Sequence, residues 1–386
     1  MSSVIMDHDQ VTDLIERLSS LNPKLSGGDQ NARKEALQLT VDLAFSPFVT
    51  VAARIAVGLD LFRLIANHET AITSKELASL SGGEELLIVR TLRPLASTGF
   101  VEEVDVCTWK ATPITRAMAT EEIAAGHRIV GEMIVGAAQK APKYLEEAGY
   151  RCPTDPHDGF MQYAFQTKFN VFQLFSSRPR VLKDFNLFMG NTMGAREYWV
   201  DWFPVKERLL KGAAITKESA LLVDVGAGKG HDLLAFHDKY PHQEGRLILQ
   251  DLAPVTDSIR DIDPAIELMT YDFFTEQPVK GARSYFYHHI LHDWSDYKCL
   301  EILKPVTKAM KPGYSKLFIH EMIIPEQGAS TFHAMLDMTM MAFNSGMERT
   351  ESQWTTLLEE AGLVVVKVWK APQEDADGIV EAMLKE

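Results

Sequence analysis

Tyr287-His288-His289-Ile290-Leu291-His292-Asp293-Trp294 packs three histidines into five residues. A neutral imidazole near pKa 6.5 can take the proton of a phenol near pKa 10, which is a poor nucleophile at neutral pH, and His292 is the candidate for that base. Such a base works best beside a carboxylate that fixes its tautomer. The later chain offers Glu321 in His320-Glu321-Met322-Ile323-Ile324-Pro325 and Glu348 in Met347-Glu348-Arg349-Thr350. The plain alternatives are a satisfied strand-end histidine and surface or capping glutamates. Three histidines also raise a metal site. In a strand, however, His288 and His292 share one face while His289 points to the other, and no Cys or His cluster elsewhere completes a ligand set. No metal is expected.

A second chemical signal lies upstream. The apolar run Leu221-Leu222-Val223-Asp224-Val225 enters Gly226-Ala227-Gly228-Lys229-Gly230 and continues as a helical pattern with Leu233, Leu234 and Phe236. Strand, glycine turn and helix start make a nucleotide site, because the glycines admit a ligand to the backbone and the first turn offers free N–H groups. The dinucleotide fingerprint G-x-G-x-x-G fails at His231, and the Gly-Lys-Ser/Thr ending of a P-loop is absent. A ligand without a pyrophosphate suits the turn better, and S-adenosylmethionine (SAM) leads. A buried strand with an ordinary tight turn is the alternative. Asp251, 21 residues after Gly230, ends the next strand and can accept both hydroxyls of a ribose. Asp272 in Tyr271-Asp272-Phe273-Phe274 can take an adenine amino group, with Phe273 against the ring. Each aspartate alone reads as a strand-end cap; two at consecutive strand ends behind a glycine turn read as a nucleotide site.

The elements that must position these residues follow from periodicity. From Ala220 onward, strands are expected at Leu221–Val225, Gly245–Leu252, Ile266–Tyr271, Ser284–Leu291, Lys316–Ile323 and Val364–Trp369, with helical patterns at 230–239, 255–260, 297–310, 331–343 and 351–361. Such alternation predicts an α/β fold, a parallel, doubly wound, Rossmann-like sheet with ligands at the carboxyl ends of its strands. Residues 121–215 form a helical linker region rich in Phe and Met, including Met189 and Met193. Clusters of this kind line irregular apolar pockets as readily as they fill cores. Asp337 and Met341, four apart, share a helix face toward the pocket or pack ordinarily. Residues 1–120 comprise a helical arm, with Val11, Leu14, Ile15, Leu18 and Leu21 at helical spacing, and a compact helix–helix–strand-pair unit of winged-helix type. Residues 216–386 are the catalytic domain.

Composition excludes several classes. The formal net charge of −14 opposes binding to nucleic-acid phosphates. A winged-helix regulator would carry a basic recognition helix, yet across 84–98 Arg90 and Arg93 are balanced by Glu84 and Glu85. Cys107, Cys152 and Cys299 are odd in number and far apart, as suits a reducing compartment. No signal peptide and no apolar run approaching the roughly 20 residues of a membrane span is evident. A cytoplasmic protein with no membrane partner is expected.

The ordered set VDVGAGKG, LQDLAP, YDFF, LHDW, HEMIIP and MERTESQW resembles the plant caffeic-acid-type and fungal natural-product SAM-dependent O-methyltransferases. The resemblance covers the catalytic domain and, more loosely, the N-terminal part. It implies that Gly226 and Gly228 hold the methionine part of SAM, Asp251 with Leu252 the ribose, and Asp272 with Phe273 the adenine. It makes His292 the base, flanked by Glu321 and Glu348, with Asp293 next in the HDW motif. It also implies a homodimer whose N-terminal domain dimerises and whose arms help close the partner's pocket. Two positions depart from the pattern: His288 stands where plant members often carry a lysine toward the cofactor, and the turn reads GAGKG rather than GGGTG or GGGSG. Some fungal relatives keep SAM yet catalyse dehydration and pericyclic cyclisation, often with Arg or Lys at the base position. In that case His127, in Gly126-His127-Arg128, is a further substrate donor. The expected activity is O-methylation of a phenolic or enolic hydroxyl on a small aromatic or polyketide-like secondary metabolite. The alternative is a methyltransferase-like pericyclase or dehydratase that binds SAM without spending its methyl group.

Overall fold

The computed structural model describes residues 17, 20, 29–194, 197–214, 216–373 and 375–385, without the side chains of 191–194. The arm read from Val11 to Leu21 lies outside the described residues. The chain divides into two units, residues 1–133 with 178–191, and 134–177 with 192–386. The segment 121–215, expected as a separate region, is thus shared between them.

The first unit packs α1 (Gln30–Phe45), α2 (Pro47–Gly58), α3 (Leu61–Ala66), α4 (Ser74–Ser81), α5 (Glu85–Ser97), α6 (Pro113–Met118) and α7 (Glu121–Ile129) around a three-stranded antiparallel sheet. Its order is β1 (Ile72–Thr73), β3 (Thr108–Ala111), β2 (Val101–Asp105). A capping box starts α4 at Thr73: Glu76 N donates to Thr73 Oγ1 at 3.2 Å, and Thr73 N to Glu76 Oε2 at 2.9 Å. Helix α5 continues through Pro94 to Ser97. Gln30–Gly58 is long and apolar enough to cross a membrane by length and composition alone. Gln38, Thr40, Asp42 and Ser46 interrupt its apolar run.

The second unit is built on a seven-stranded sheet of order β11-β12-β8-β7-β4-β5-β6. The strands are β4 (Ala220–Val225), β5 (Arg246–Asp251), β6 (Ile266–Thr270), β7 (Ser284–His288), β8 (Lys316–Glu321), β11 (Leu363–Trp369) and β12 (Gly378–Leu384). Alternation sends successive side chains to opposite faces, and here both faces are buried. Val223, Val225, Tyr285, Tyr287, Leu317 and Ile319 join one core, with residues of α9 (Asp296–Ala309) and α11 (Glu351–Glu360). Leu222, Phe286 and Phe318 join the other, with Leu233 and Phe236 of α8 (His231–Lys239). Helices therefore cover both faces, as the doubly wound reading requires.

The sheet is mixed rather than wholly parallel. Strand β12 was not expected, and it runs antiparallel to both β8 and β11. Its GIVEAML sequence is rich in helix formers, a local preference that pairing on both edges overrides. Its buried Glu381 accepts from Arg208 Nε and Nη2 at 2.8 Å, Lys316 Nζ at 2.7 Å and Trp369 Nε1 at 3.1 Å. The expected strand Ser284–Leu291 is also shorter. It ends at His288, and His289 adopts a left-handed φ of 51° that turns the chain into a 3₁₀ turn, Leu291–Asp293.

Candidate active site

The site lies at the carboxyl ends of β4, β5, β7 and β8. Gly226, Gly228 and Gly230 all have positive φ, at 75°, 55° and 79°. A side chain at Gly226 would strike Ile290, whose Cδ1 lies 2.4 Å from the Cβ position, whereas the same construction at Gly228 meets nothing within 4 Å. One glycine thus lets the turn close on the loop that carries His292, and another leaves room for a ligand. Asp251 accepts from Gly228 N at 2.8 Å and Leu252 N at 2.7 Å, which ties the end of β5 to the turn. Burial raises its pKa, and these two N–H groups oppose that shift. Leu252 is exposed beside it. Asp272 is exposed and accepts from Phe274 N at 3.0 Å, and Phe273 packs on Phe274 and edge-on to Trp294. These groups suit a nucleoside: a carboxylate beside an open glycine turn, and an aromatic ring next to a second carboxylate.

A short parallel pair brings two glutamates to His292. Strand β9 (Ile323–Ile324) lies beside β10 (Arg349–Thr350), so Glu321 and Glu348, 27 residues apart, flank the same 3₁₀ turn. His292 is buried, with Nδ1 2.7 Å from Glu348 Oε1 and 3.5 Å from Glu321 Oε2, and Nε2 3.6 Å from Asp293 Oδ1. Glu321 Oε1 accepts from Ile290 N at 3.0 Å and Leu291 N at 2.8 Å, so this glutamate also holds the turn. Its Oε2 and that of Glu348 are buried with no hydrogen-bond partner among the described residues. Burial pulls the His292 pKa down, but Glu321, Glu348 and Asp293 together lift it well above the ordinary value. Burial pushes Asp293 up to about 7, against the pull of His292. At neutral pH the cluster therefore holds a proton that belongs to the group as a whole.

Several residues that sequence reasoning passed over fix this turn. Met347 N donates to His292 O at 2.9 Å, and Asn344 Nδ2 to Asp293 O at 3.1 Å. Gly346 is essential to that approach, since a Cβ there would lie 2.2 Å from His292 O. Arg349 is fully buried; it donates to Leu291 O at 3.1 Å, Met347 O at 3.3 Å and Trp294 O at 2.8 Å, and pairs with Asp296 at 2.9 Å. Its position directly after Glu348 was the available signal, because a buried fork of donors suits a turn rich in carbonyls.

The other candidates are dispersed. Asp337, on α10 (Thr331–Asn344), is half-buried and accepts from Glu348 N at 3.0 Å, so it braces the glutamate rather than standing free; Met341 is half-buried on the same helix. His127 and Met189 lie half-buried in the N-terminal unit, and the side chain of Met193 is outside the described residues. His288 pairs through Nδ1 with Asp232 Oδ2 at 2.8 Å; burial lowers its pKa, but Asp232, Asp377 and Glu321 together raise it. The rings of His289 and His292 stack at 5.0 Å, which corrects the expectation of opposite faces: the strand has already ended. Three sets have ligand atoms within 4.8 Å of one another: Asp232, His288 and His320; His288, His289 and Asp377; and His292, Glu321 and Glu348. The expectation that nothing completes such a set failed because Asp232, His320 and Asp377 come from distant elements. Hydrogen bonds at 2.7–2.9 Å already join His288 to Asp232, His289 to Asp377 and His292 to Glu348.

An open glycine turn, strand-end carboxylates and a carboxylate-held histidine on a doubly wound sheet define a SAM-dependent transferase. Residues 182–364 match the O-methyltransferase domain. The chain is 50% identical over 392 residues to the O-methyltransferase penC of Penicillium thymicola, covering 97% of this chain and 98% of that protein. Its fold matches the solved complex of LepI with SAM at a TM-score of 0.82 and 28% identity, over 97% of this chain and 100% of the other. It also matches a solved structure described as a pericyclic reaction enzyme, at 0.79 and 29% identity, over 98% and 100% of the two chains. The chain belongs to the SAM-dependent O-methyltransferases, and S-adenosyl-L-methionine is its cofactor.

Proposed function

We propose that the chain methylates a phenolic or enolic hydroxyl of a small aromatic or polyketide-like secondary metabolite, with His292 as general base. The observation that carries this reading is the 2.7 Å bond from His292 Nδ1 to Glu348, in a turn whose Ile290 abuts the glycine loop. Bound SAM supplies an electrophilic methyl group. Gly226, Gly228, Asp251, Leu252, Asp272, Phe273 and His288 are the residues that would hold it. Glu348 keeps a proton on Nδ1, which leaves Nε2 to accept the hydroxyl proton. Glu321 and Glu348 then stabilise the imidazolium, while Arg349, Asn344 and Asp337 keep the turn and the glutamate in register. Phe172 meets Phe343 and Trp294 at ring distances of 5.7 and 5.8 Å, and these rings, with Trp294 two residues from His292, are candidates to pack on a flat acceptor.

A second reading rests on the same cluster. A histidine held protonated is a general acid, and the likeness to a pericyclic reaction enzyme favours testing dehydration or cyclisation alongside methyl transfer. Methyl-labelled SAM offered with candidate phenols separates the two readings by whether label reaches the product. The exposed apolar face of α1 and α2, with Leu37, Phe45, Phe48 and Val51, supports dimerisation through the winged-helix-like unit, which analytical ultracentrifugation would test.

A further inference from the structure

Helix α7 passes at Ile129 into a six-residue π-helix, Val130–Val135. Such insertions recur at functional sites. Gly131 lies in this π-helix, four residues after His127, and a Cβ there would stand 3.0 Å from Arg54 Cδ and 3.3 Å from Cγ. The missing side chain lets Arg54, arriving from α2, lie along the stretch of helix that carries His127. Arg54 pairs with Glu132 through Nη2, but its Nε and Nη1 are buried with no hydrogen-bond partner among the described residues, and so is His127 Nε2.

The nearby acids are engaged. Arg128 donates to Asp184 at 2.8 and 2.7 Å and to Glu121 at 2.5 Å. Burial, with the charge of Arg54 behind it, lowers the His127 pKa to about 4, so at neutral pH the ring is uncharged and offers one N–H. A guanidinium cannot discharge itself in this way. Burial is also the chief influence against the charge of Arg54, followed by Arg128 and Arg180, with Asp184 opposing them. Buried donors on a guanidinium whose one ion-pair partner among the described residues is Glu132 call for a further acceptor. An oxyanion suits these donors better than water, because bonds from a guanidinium to an anion are charge-assisted and its planar fork matches a carboxylate.

We propose that Arg54 and His127 bind the oxyanion of a small organic acid, a carboxylate or a ring-delocalised enolate, within the N-terminal unit. This site does not rest on methyl transfer at His292, so the two ideas fail separately. Benzoate is titrated into the full chain and followed by ligand-observed NMR, with benzamide as the uncharged control and SAM affinity and melting temperature as checks on folding. Benzoate binds saturably and benzamide at least about 10-fold more weakly, as loss of a charge-assisted bond requires. Arg54→Gln weakens benzoate about 10-fold or more, Arg54→Lys less, and His127→Gln a few-fold. Benzoate that competes with the methyl acceptor marks the oxyanion as the acceptor's own, whereas binding without competition marks a separate effector. Absence of saturable binding, equal affinity for benzamide, or unchanged affinity in folded Arg54→Gln overturns the proposal. If Arg54→Gln does not fold, unchanged affinity in His127→Gln does so.

Discussion

Replacing Glu348 by glutamine keeps the shape of the group that meets His292 Nδ1 at 2.7 Å and removes its charge. In the native site the carboxylates of Glu321, Glu348 and Asp293 lift the His292 pKa well above 6.5 despite burial. An opposite charge at this range is worth about 1–3 pKa units, and each unit is about 1.4 kcal/mol between protonation states. Loss of one of the three carboxylates therefore lowers the His292 pKa from its raised native position. A base works deprotonated, so the native acid limb of kcat lies above pH 6.5 and moves to lower pH in Glu348→Gln. Because Asp293 sits near 7 in the same cluster, the limb reports the coupled group rather than one residue. On the plateau, the imidazolium formed by proton uptake has lost its nearest counter-charge, and kcat falls by about 10²–10⁴. Initial rates of label transfer from SAM, measured from about pH 5 to about pH 10 with the KM for SAM followed in parallel, give both quantities. A variant whose acid limb stays in place and whose kcat remains within about 3-fold of the native value refutes the base assignment.

Arg349→Lys exchanges a planar fork for a point charge and cannot serve the carbonyls of Leu291, Met347 and Trp294 together; kcat drops about 10-fold or more while calorimetric SAM affinity is unchanged. Asp251→Asn removes the carboxylate that closes on the glycine turn, and SAM affinity measured by calorimetry falls about 10–100-fold, the worth of a charge-assisted bond. Glu381→Gln leaves Arg208 and Lys316 without their shared counter-charge and costs about 3–5 kcal/mol, read from the denaturant midpoint. Arg208 and Lys316 hold the Glu381 pKa below its ordinary 4.5 against burial, so its stabilisation is present above that value and is lost as pH falls through the lowered folded pKa. The variant lacks that share of the acid sensitivity.

The sequence made some parts of the site readable because their chemistry is local. The glycine turn, the carboxylates ending β5 and β6, and the His292-Asp293 pair each sit within a few residues of the backbone feature that positions them. Glu321 and Glu348 were legible as candidates, but their convergence depends on the β9–β10 pair, whose two-residue strands leave no periodic signature. Strand β12 was hidden by helix-favouring residues, and its place in the sheet comes from pairing with β8 and β11 rather than from its own pattern. The histidine faces were misjudged because a single left-handed residue, His289, ends β7 early, and nothing in its side chain announces that conformation. Arg349 went unassigned because its role is to satisfy carbonyls that only the folded 3₁₀ turn turns inward.

Methyl transfer by this chain, with His292 taking the proton released, is open to one direct test. Methyl-labelled SAM incubated with phenolic and enolic acceptors, using native protein and His292→Gln, tests both parts at once. Native protein places label in the acceptor, and the variant loses about 10² or more in rate with SAM affinity unchanged. Saturable SAM binding with no label in any acceptor, accompanied by a dehydrated or cyclised product, would contradict methyl transfer by this chain.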